Sequence, residues 1–455
     1  MKKGLSKPLC LVLSAAILVA MAACNSSTPS ASDTSATSAD VSVATSSERI
    51  KLAMLDMKTE EAVKGSVEGL VYREAVNSFK AENPNLQLEE EVISHEVYET
   101  KVKTLAAANE LPDIFEALPS FMKQFYDNDQ ILDLKPLMAA DSEWGSRFPD
   151  GSLGDMTFGE NVLATPRVAI ANHVILWNTE IFKKCGIEKF PANSDEFKVA
   201  VKTLKDNGYI PLACGNKGKY LISSQIMPGI LFKFASADWY ESLKNNKGAK
   251  FTDPAPLAAI TYLDELMKMG LFNEDVNSIE PQQARALYYD EKAAMCLEGS
   301  WVISNFINET TQDIRDKTDI TIFPQVADKP ELANQIVGGQ GWGSVLSSRL
   351  KDKPLALACD FLKRLTSPEA QGKLVEGGSL AVVENALYDK SKLDPFFNEF
   401  LSMYNSYTTI VGCPEVQLSV DYMDASYTGY QELSIGSITP QQLAEKLQAA
   451  QEAAQ

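Results

Sequence analysis

Short apolar strands alternate with amphipathic helices from Ile50 onward, and that alternation restricts this chain to a layered α/β architecture. Ile50-Lys-Leu-Ala-Met-Leu-Asp56 reads as a buried strand, and apolar residues at helical spacing (Val71, Ala75, Phe79) predict a helix over 70–81. Asn83-Pro84 stops that helix, because the residue before a proline is pushed out of the α region. A strand at 86–93, a helix at 97–108 and a short strand at 111–115 repeat the cycle. Further strands are expected at 161–166, 173–177, 209–214, 293–297, 320–323 and 343–346. Helices are expected at 179–185, 195–207 (with Ser194 as N-cap and Gly208 as stop), 222–234, 255–269 and from Trp301. The C-terminal part reads as helical over 355–365, 368–375, 397–406, 421–434 and 440–453. Such alternation predicts mainly parallel sheets covered by helices on both faces.

The first 47 residues are of another kind. Lys2 and Lys3 precede an apolar run from Leu9 to Met21, too short for a spanning helix, and small residues follow. These are the marks of an export signal over residues 1–23. Met21-Ala22-Ala23-Cys24 resembles a bacterial lipobox, with Met where Leu is usual. The resemblance implies that Cys24 is lipidated and becomes the first residue of the exported protein. The alternative is a plain secretory signal with an incidental cysteine. The Ser, Thr, Ala and Asp that fill residues 24–48 bury too little apolar surface to offset ordering entropy, so this stretch reads as a solvated tether.

What remains is about 400 residues, more than one hydrophobic core supports, so two lobes are expected. The formal charge of −19 argues against nucleic acid, whose binding needs clustered Lys and Arg. Cys185, Cys214, Cys296, Cys359 and Cys413 fit no metal-ligand spacing and read as buried thiols, although an exported chain could pair some of them. Two histidines, His95 and His173, make a histidine-based triad or metal site improbable. No cofactor motif stands out, since the Gly338–Gly343 run lacks the G-x-G-x-x-G register.

Five segments in order resemble the sugar-type, family 1 extracellular solute-binding proteins of ABC importers, the family of maltose-binding protein. They are Leu111-Pro-Asp-Ile-Phe115 with Ile131–Pro136, Ala164-Thr-Pro-Arg167, Leu176–Phe182, Glu291–Trp301 and Ala358–Gln371. The resemblance implies a two-lobed, type II periplasmic-binding-protein-like fold with hinge strands. It places lobe 1 at 49–168 plus 319–390 and lobe 2 at 169–318 plus 391–455. The chain would cross near Ala169–Asn172, return near Ile320 and leave again near residue 390. It also implies capture of a mono- or oligosaccharide by lobe closure and delivery to ABC permease subunits. The protein would be a non-enzymatic monomer without cofactor or metal, held on the outer membrane face by the lipid on Cys24.

Sugar recognition needs aromatic faces for the C–H patch of the ring and polar groups for its hydroxyls. Trp301, after Gly299-Ser300, matches an aromatic that faces sugar in the family; the alternative is a core tryptophan. Glu298 precedes that turn, and Trp342 with Gln340 sits in a glycine run that lets backbone approach a ligand. Tyr220 and Asn216 border a polar, glycine-rich loop, and Glu116 is expected at the cleft edge. Asn172 lies near the hinge, and Asp421 and Tyr422 where the family's last helical region contributes a contact. Asp113 and Trp239 read as structural. A receptor of the same fold for another solute, and a secreted glycoside hydrolase, are the other readings.

Overall fold

The computed structural model describes residues 49–149 and 151–453. The export signal, Cys24 and the tether expected at 1–48 lie outside the described residues. No helix among the described residues is long and apolar enough to cross a membrane.

Three larger β-sheets organise the described residues, beside a small two-stranded hairpin of Thr157–Phe158 and Asn161–Val162. The first runs in the order Leu86–Val92, Ile50–Asp56, Ile114–Ala117, Gly343–Leu346, Thr165–Pro166. Its first three strands are parallel, while Gly343–Leu346 is antiparallel to both of its neighbours. The helix Val67–Glu82 is opened by Ser66, whose hydroxyl accepts from Gly69 N. It lays Tyr72, Val76 and Phe79 against this sheet and against the helix Asp352–Leu365, with Tyr72 edge-on to Phe361 at 5.7 Å, while Val71 packs with Val168, Ile170 and Leu374. Buried rings of this size contribute about 2–3 kcal/mol each through area removed from water.

The second sheet runs Thr318–Thr321, Val174–Asn178, Ala293–Glu298, Ile210–Ala213. Ala293–Glu298 is buried along its whole length, as a strand covered on both faces must be. It pairs antiparallel with Val174–Asn178 and parallel with Ile210–Ala213. The sheets are therefore mixed rather than mainly parallel, because Gly343–Leu346 and Val174–Asn178 enter against their neighbours. A third sheet joins Thr409–Val411, Gln335–Gly339 and Ile170–Ala171. Thr318–Thr321 pairs with Val174–Asn178, so the chain does not return to the first sheet at Ile320. It runs instead through the Gln335–Gly339 strand of the third sheet and rejoins the first at Gly343.

Local departures have local causes. Asn193, not Ser194, caps the helix Ser194–Asp206, because its Oδ1 accepts from Asp195 N and Glu196 N at 3.1 and 3.0 Å. Gly208, at φ +85°, closes it as expected. The helical stretch at 222–234 begins as a π-helix, Leu221–Ile226, before the α-helix Met227–Phe234. π-Turns are rare and recur at functional sites. All five cysteines past residue 48 are free thiols, four of them buried. Asp113 is structural, accepting from Ala53 N at 2.8 Å, and Trp239 packs edge-on to Phe251 and donates to Asp253.

Candidate functional site

A cleft of about 690 Å³ lies between elements of the first and second sheets. This is within the range of sites that enclose drug-sized ligands. Of the residues singled out from sequence, Trp301, Glu298, Trp342, Tyr220 and Asn172 line it.

Trp301 owes its position to the residues before it. The strand Ala293–Glu298 ends at Gly299, Ser300 ties the turn to Ala171 (Ser300 N to Ala171 O, 2.8 Å), and the helix Val302–Glu309 follows. The indole folds back over Gly299, where any Cβ would overlap its six-membered ring. Its Nε1 donates to Glu298 Oε2 at 2.9 Å. Glu298 is 2% exposed, and its charge is answered by Arg285 Nη1 at 3.0 and 3.1 Å from the two carboxylate oxygens. Arg285 comes from the helix Pro281–Tyr289, and a second carboxylate, Glu309, lies 3.6 Å from its Nε.

The opposite wall is aromatic. His95 stands between Tyr220 and Trp342, with ring centroids 5.2 and 5.7 Å away. Tyr98 meets Trp342 edge-on at 5.6 Å and is itself fixed by hydrogen bonds to Leu55 O and to the Glu116 backbone. Burial, with Lys58 and Arg167 nearby, lowers the His95 pKa to about 4, so this ring is neutral at physiological pH. Burial likewise raises the Tyr220 phenol above its usual range.

Two amide oxygens in the cleft are conspicuous. Asn172 Oδ1 and Gln225 Oε1 belong to side chains 2% and 3% exposed and have no hydrogen-bond partner among the described residues. A buried acceptor without a donor costs about 1–3 kcal/mol.

The remaining sequence candidates stand elsewhere. Glu116, 1% exposed, is not among the cleft-lining residues and neutralises Lys58 (3.0 Å) and Arg167, two of the cations that line it. Burial works to raise its pKa, but Arg167 and Lys58 hold it below the ordinary value. Asn216 is fully buried: its Oδ1 accepts from Ile222 N at 3.1 Å, and its Nδ2 donates to Asn277 at 3.1 Å. It anchors the start of the π-helix. Gln340 closes a loop with Asp155, accepting from its N–H at 3.1 Å while Asp155 Oδ2 accepts from Gln340 N at 2.8 Å. It positions the Gly341-Trp342 corner from outside. Asp421 is exposed in the first turn of the helix Val420–Ser434, where a negative charge suits the helix dipole. Tyr422 is buried against Phe251, with ring centroids 5.1 Å apart.

Sequence reasoning missed the cleft residues His95, Glu99, Gln225, Arg285, Glu415 and Tyr427. Glu415 is 8% exposed, and Ser224 and Tyr427 donate to its two oxygens. Tyr427 OH is also 3.4 Å from Glu99 Oε1. An i, i+4 pairing of His95 with Glu99 on one helix face was the available signal.

Residues 64–372 match the family described as bacterial extracellular solute-binding protein. This chain belongs to that family. The solute-binding protein is 27% identical over 208 residues to an uncharacterised ABC transporter extracellular-binding protein of Pyrococcus horikoshii, covering 45% of this chain and 46% of that one. It is 23% identical over 297 residues to the diacetylchitobiose binding protein DasA of Streptomyces coelicolor, covering 64% and 65%. The matched stretch thus spans less than two thirds of the length of either relative. A solved chitin oligosaccharide binding protein superposes with a TM-score of 0.80 at 22% identity, covering 89% of this chain and 98% of that one. That likeness shows the two-lobed, type II periplasmic-binding-protein-like fold of this solute-binding protein.

Proposed function

We propose that this protein captures a carbohydrate by closing its lobes and delivers it to the permease of an ABC importer. One observation carries the reading. Trp301, Trp342 and Tyr220 offer aromatic faces in a cleft where Asn172 Oδ1 and Gln225 Oε1 are buried acceptors with no donor. A sugar presents C–H patches for such rings and hydroxyl donors for such oxygens. Family membership and sugar-binding relatives support the same reading.

In this reading Trp301, Glu298, Trp342, Tyr220 and Asn172 touch the ligand. The lobes are those expected from sequence, 49–168 plus 319–390 and 169–318 plus 391–455, with the three-stranded sheet as the hinge and the return crossing falling between Thr321 and Gly343. Ligand contacts both lobes only in the closed state, so binding shifts the population toward closure. Lipid on Cys24 and the tether after it keep the monomeric receptor within reach of the permease and raise its effective concentration. The receptor breaks no bond.

A thermal-shift screen against mono- and oligosaccharides tests the proposal. A ligand at 100 times its Kd stabilises the native state by about 2.7 kcal/mol. If no carbohydrate raises the transition while a charged solute does, the carbohydrate reading is wrong. Release of shorter sugars from an oligosaccharide would mean an enzyme instead.

A further inference from the structure

The charges that line the cleft do not balance locally. Lys58 and Arg167 are matched by Glu116, and Arg285 by Glu298 and Glu309. Lys64 is exposed at the rim. Glu280 is paired with Lys217 at 2.7 Å. Glu61 is exposed to solvent and Glu68 accepts from Ser379 at 3.0 Å. Glu99 and Glu415 are less exposed than Glu61, neither forms an ion pair among the described residues, and a single hydroxyl, Tyr427 OH, bridges them. They come from opposite sides of the cleft, Glu99 on the helix His95–Ala107 and Glu415 on the short helix Pro414–Gln417.

Around this pair the two hydroxyls are already committed donors. Ser224 and Tyr427 give their protons to Glu415. Gln225 Oε1, next in the chain to Ser224, is buried and without a partner. The rings of Tyr220, His95, Trp342 and Tyr427 line the same part of the cleft, and aromatic faces attract cations. What fits is a group with several donors, no acceptor and a positive charge. A protonated primary amine has three donors and no acceptor.

We propose that Glu99, Glu415 and Gln225 form a subsite for a protonated amine carried by the sugar, so that the ligand class is an amino sugar with a free amino group. The inference rests on the carbohydrate reading above and narrows it. Its electrostatics agree. Burial and the charge of Glu415 push Glu99 up to about 7, against Lys103, which faces it from its own helix and is itself paired with Asp424 at 2.8 Å. Burial likewise raises Glu415, against the hydrogen bonds of Ser224 and Tyr427. A carboxyl pair that retains a proton for want of a cation exchanges it for an arriving ammonium.

Calorimetric titration of the purified protein at pH 6 tests this with four probes. Three are disaccharides of one β-1,4 skeleton bearing hydroxyl (cellobiose), acetamido (diacetylchitobiose) or free amino (chitobiose diamine) groups. The fourth, putrescine, carries the amine without the sugar. The amino disaccharide should bind at least about tenfold tighter than cellobiose, the scale of one charge-assisted contact. In both Glu99→Gln and Glu415→Gln that ratio should fall toward one, with unaltered thermal unfolding certifying the fold of at least one of them. A ratio near one in the wild type, a ratio that survives both substitutions, or preference for the acetamido sugar overturns the amine subsite while leaving the carbohydrate reading intact. Binding of putrescine with no disaccharide bound would keep the amine subsite and overturn the carbohydrate. If none of the four binds, the amine subsite is wrong, and the wider sugar screen alone judges the function.

Discussion

Gly299 is the residue on which the Trp301 wall of the cleft depends, and the dependence can be put into numbers. A Cβ added at 299 would lie 2.5 Å from Trp301 Cε3 and nearer still to Cζ3 and Cη2. Carbon atoms settle at about 3.5–4.0 Å, so the indole must retreat by roughly 1 Å or more. It cannot do so and keep its 2.9 Å bond from Nε1 to Glu298, because Glu298 is pinned by Arg285. Loss of a hydrogen bond to a charged group costs about 1.5–3 kcal/mol. If sugar binding requires the indole to be forced back to its wild-type place, strain of that size is charged to the complex, and at 1.4 kcal/mol per tenfold Gly299→Ala should weaken sugar binding by about 10- to 100-fold. Calorimetric titration with whichever oligosaccharide the screen selects reads this directly. The control is a double-mutant cycle. With Trp301→Ala in place there is no ring to displace, so adding Gly299→Ala should change affinity little further. An equal loss in both backgrounds would refute the argument, because the glycine would then be acting through the backbone rather than through the indole.

Arg285→Ala leaves Glu298 as a buried carboxylate without a cation, and urea denaturation should show a loss of about 3–5 kcal/mol, partly recovered by adding Glu298→Gln. Asp155→Ala removes the acceptor for Gln340 N and for Gln417 Nε2, both at 2.8 Å, and should cost about 1–3 kcal/mol and loosen Trp342, read as a red-shifted indole emission. Stability should depend on pH in two opposed ways. His95, lowered from 6.5 to about 4, binds fewer protons folded than unfolded in that window, so its contribution falls as pH drops from 6.5 toward 4. Glu99, raised from 4.5 to about 7, binds more protons folded, so its contribution falls as pH rises from 4.5 toward 7. Each is worth up to roughly 3 kcal/mol, and other shifted groups such as His173 and Asp56 act equally in both proteins, so between pH 5 and 6.5 Glu99→Gln should gain stability with pH relative to the wild type. Urea midpoints at the two pH values check this, and an unchanged difference between variant and wild type would contradict it.

The elements that announce themselves in sequence are those with strong periodicity or a clear stop. Val67–Glu82 was legible from its apolar stripe and Asn83-Pro84, and Ala293–Glu298 from its unbroken apolar run. The strand Gln335–Gly339 was not, since Gly338 and Gly339 read as part of a cleft-lining loop; here close backbone approach, with Ile170 O beside Gly338, takes the place of side-chain packing. Trp301 and Trp342 were legible because a glycine beside an aromatic marks a ring held at a turn. Glu116, Asn216 and Gln340 have the chemistry of ligand contacts but spend it on Lys58 and Arg167, on Ile222 and on Asp155. Only the fold decides which way such a side chain faces. Glu99 and Glu415 could not be paired from sequence, because distant segments bring them to one hydroxyl.

The order of strands in the first sheet also governs when the protein can fold. Gly343–Leu346 fills the place between Ile114–Ala117 and Thr165–Pro166. A nascent chain that has not yet emerged past Leu346 has a gap in its N-terminal sheet, with two strand edges lacking a partner. Closing so long a loop is slow and precedes the contacts that reward it. The N-terminal sheet therefore cannot complete itself until synthesis has passed Leu346, well beyond the middle of the 455-residue chain.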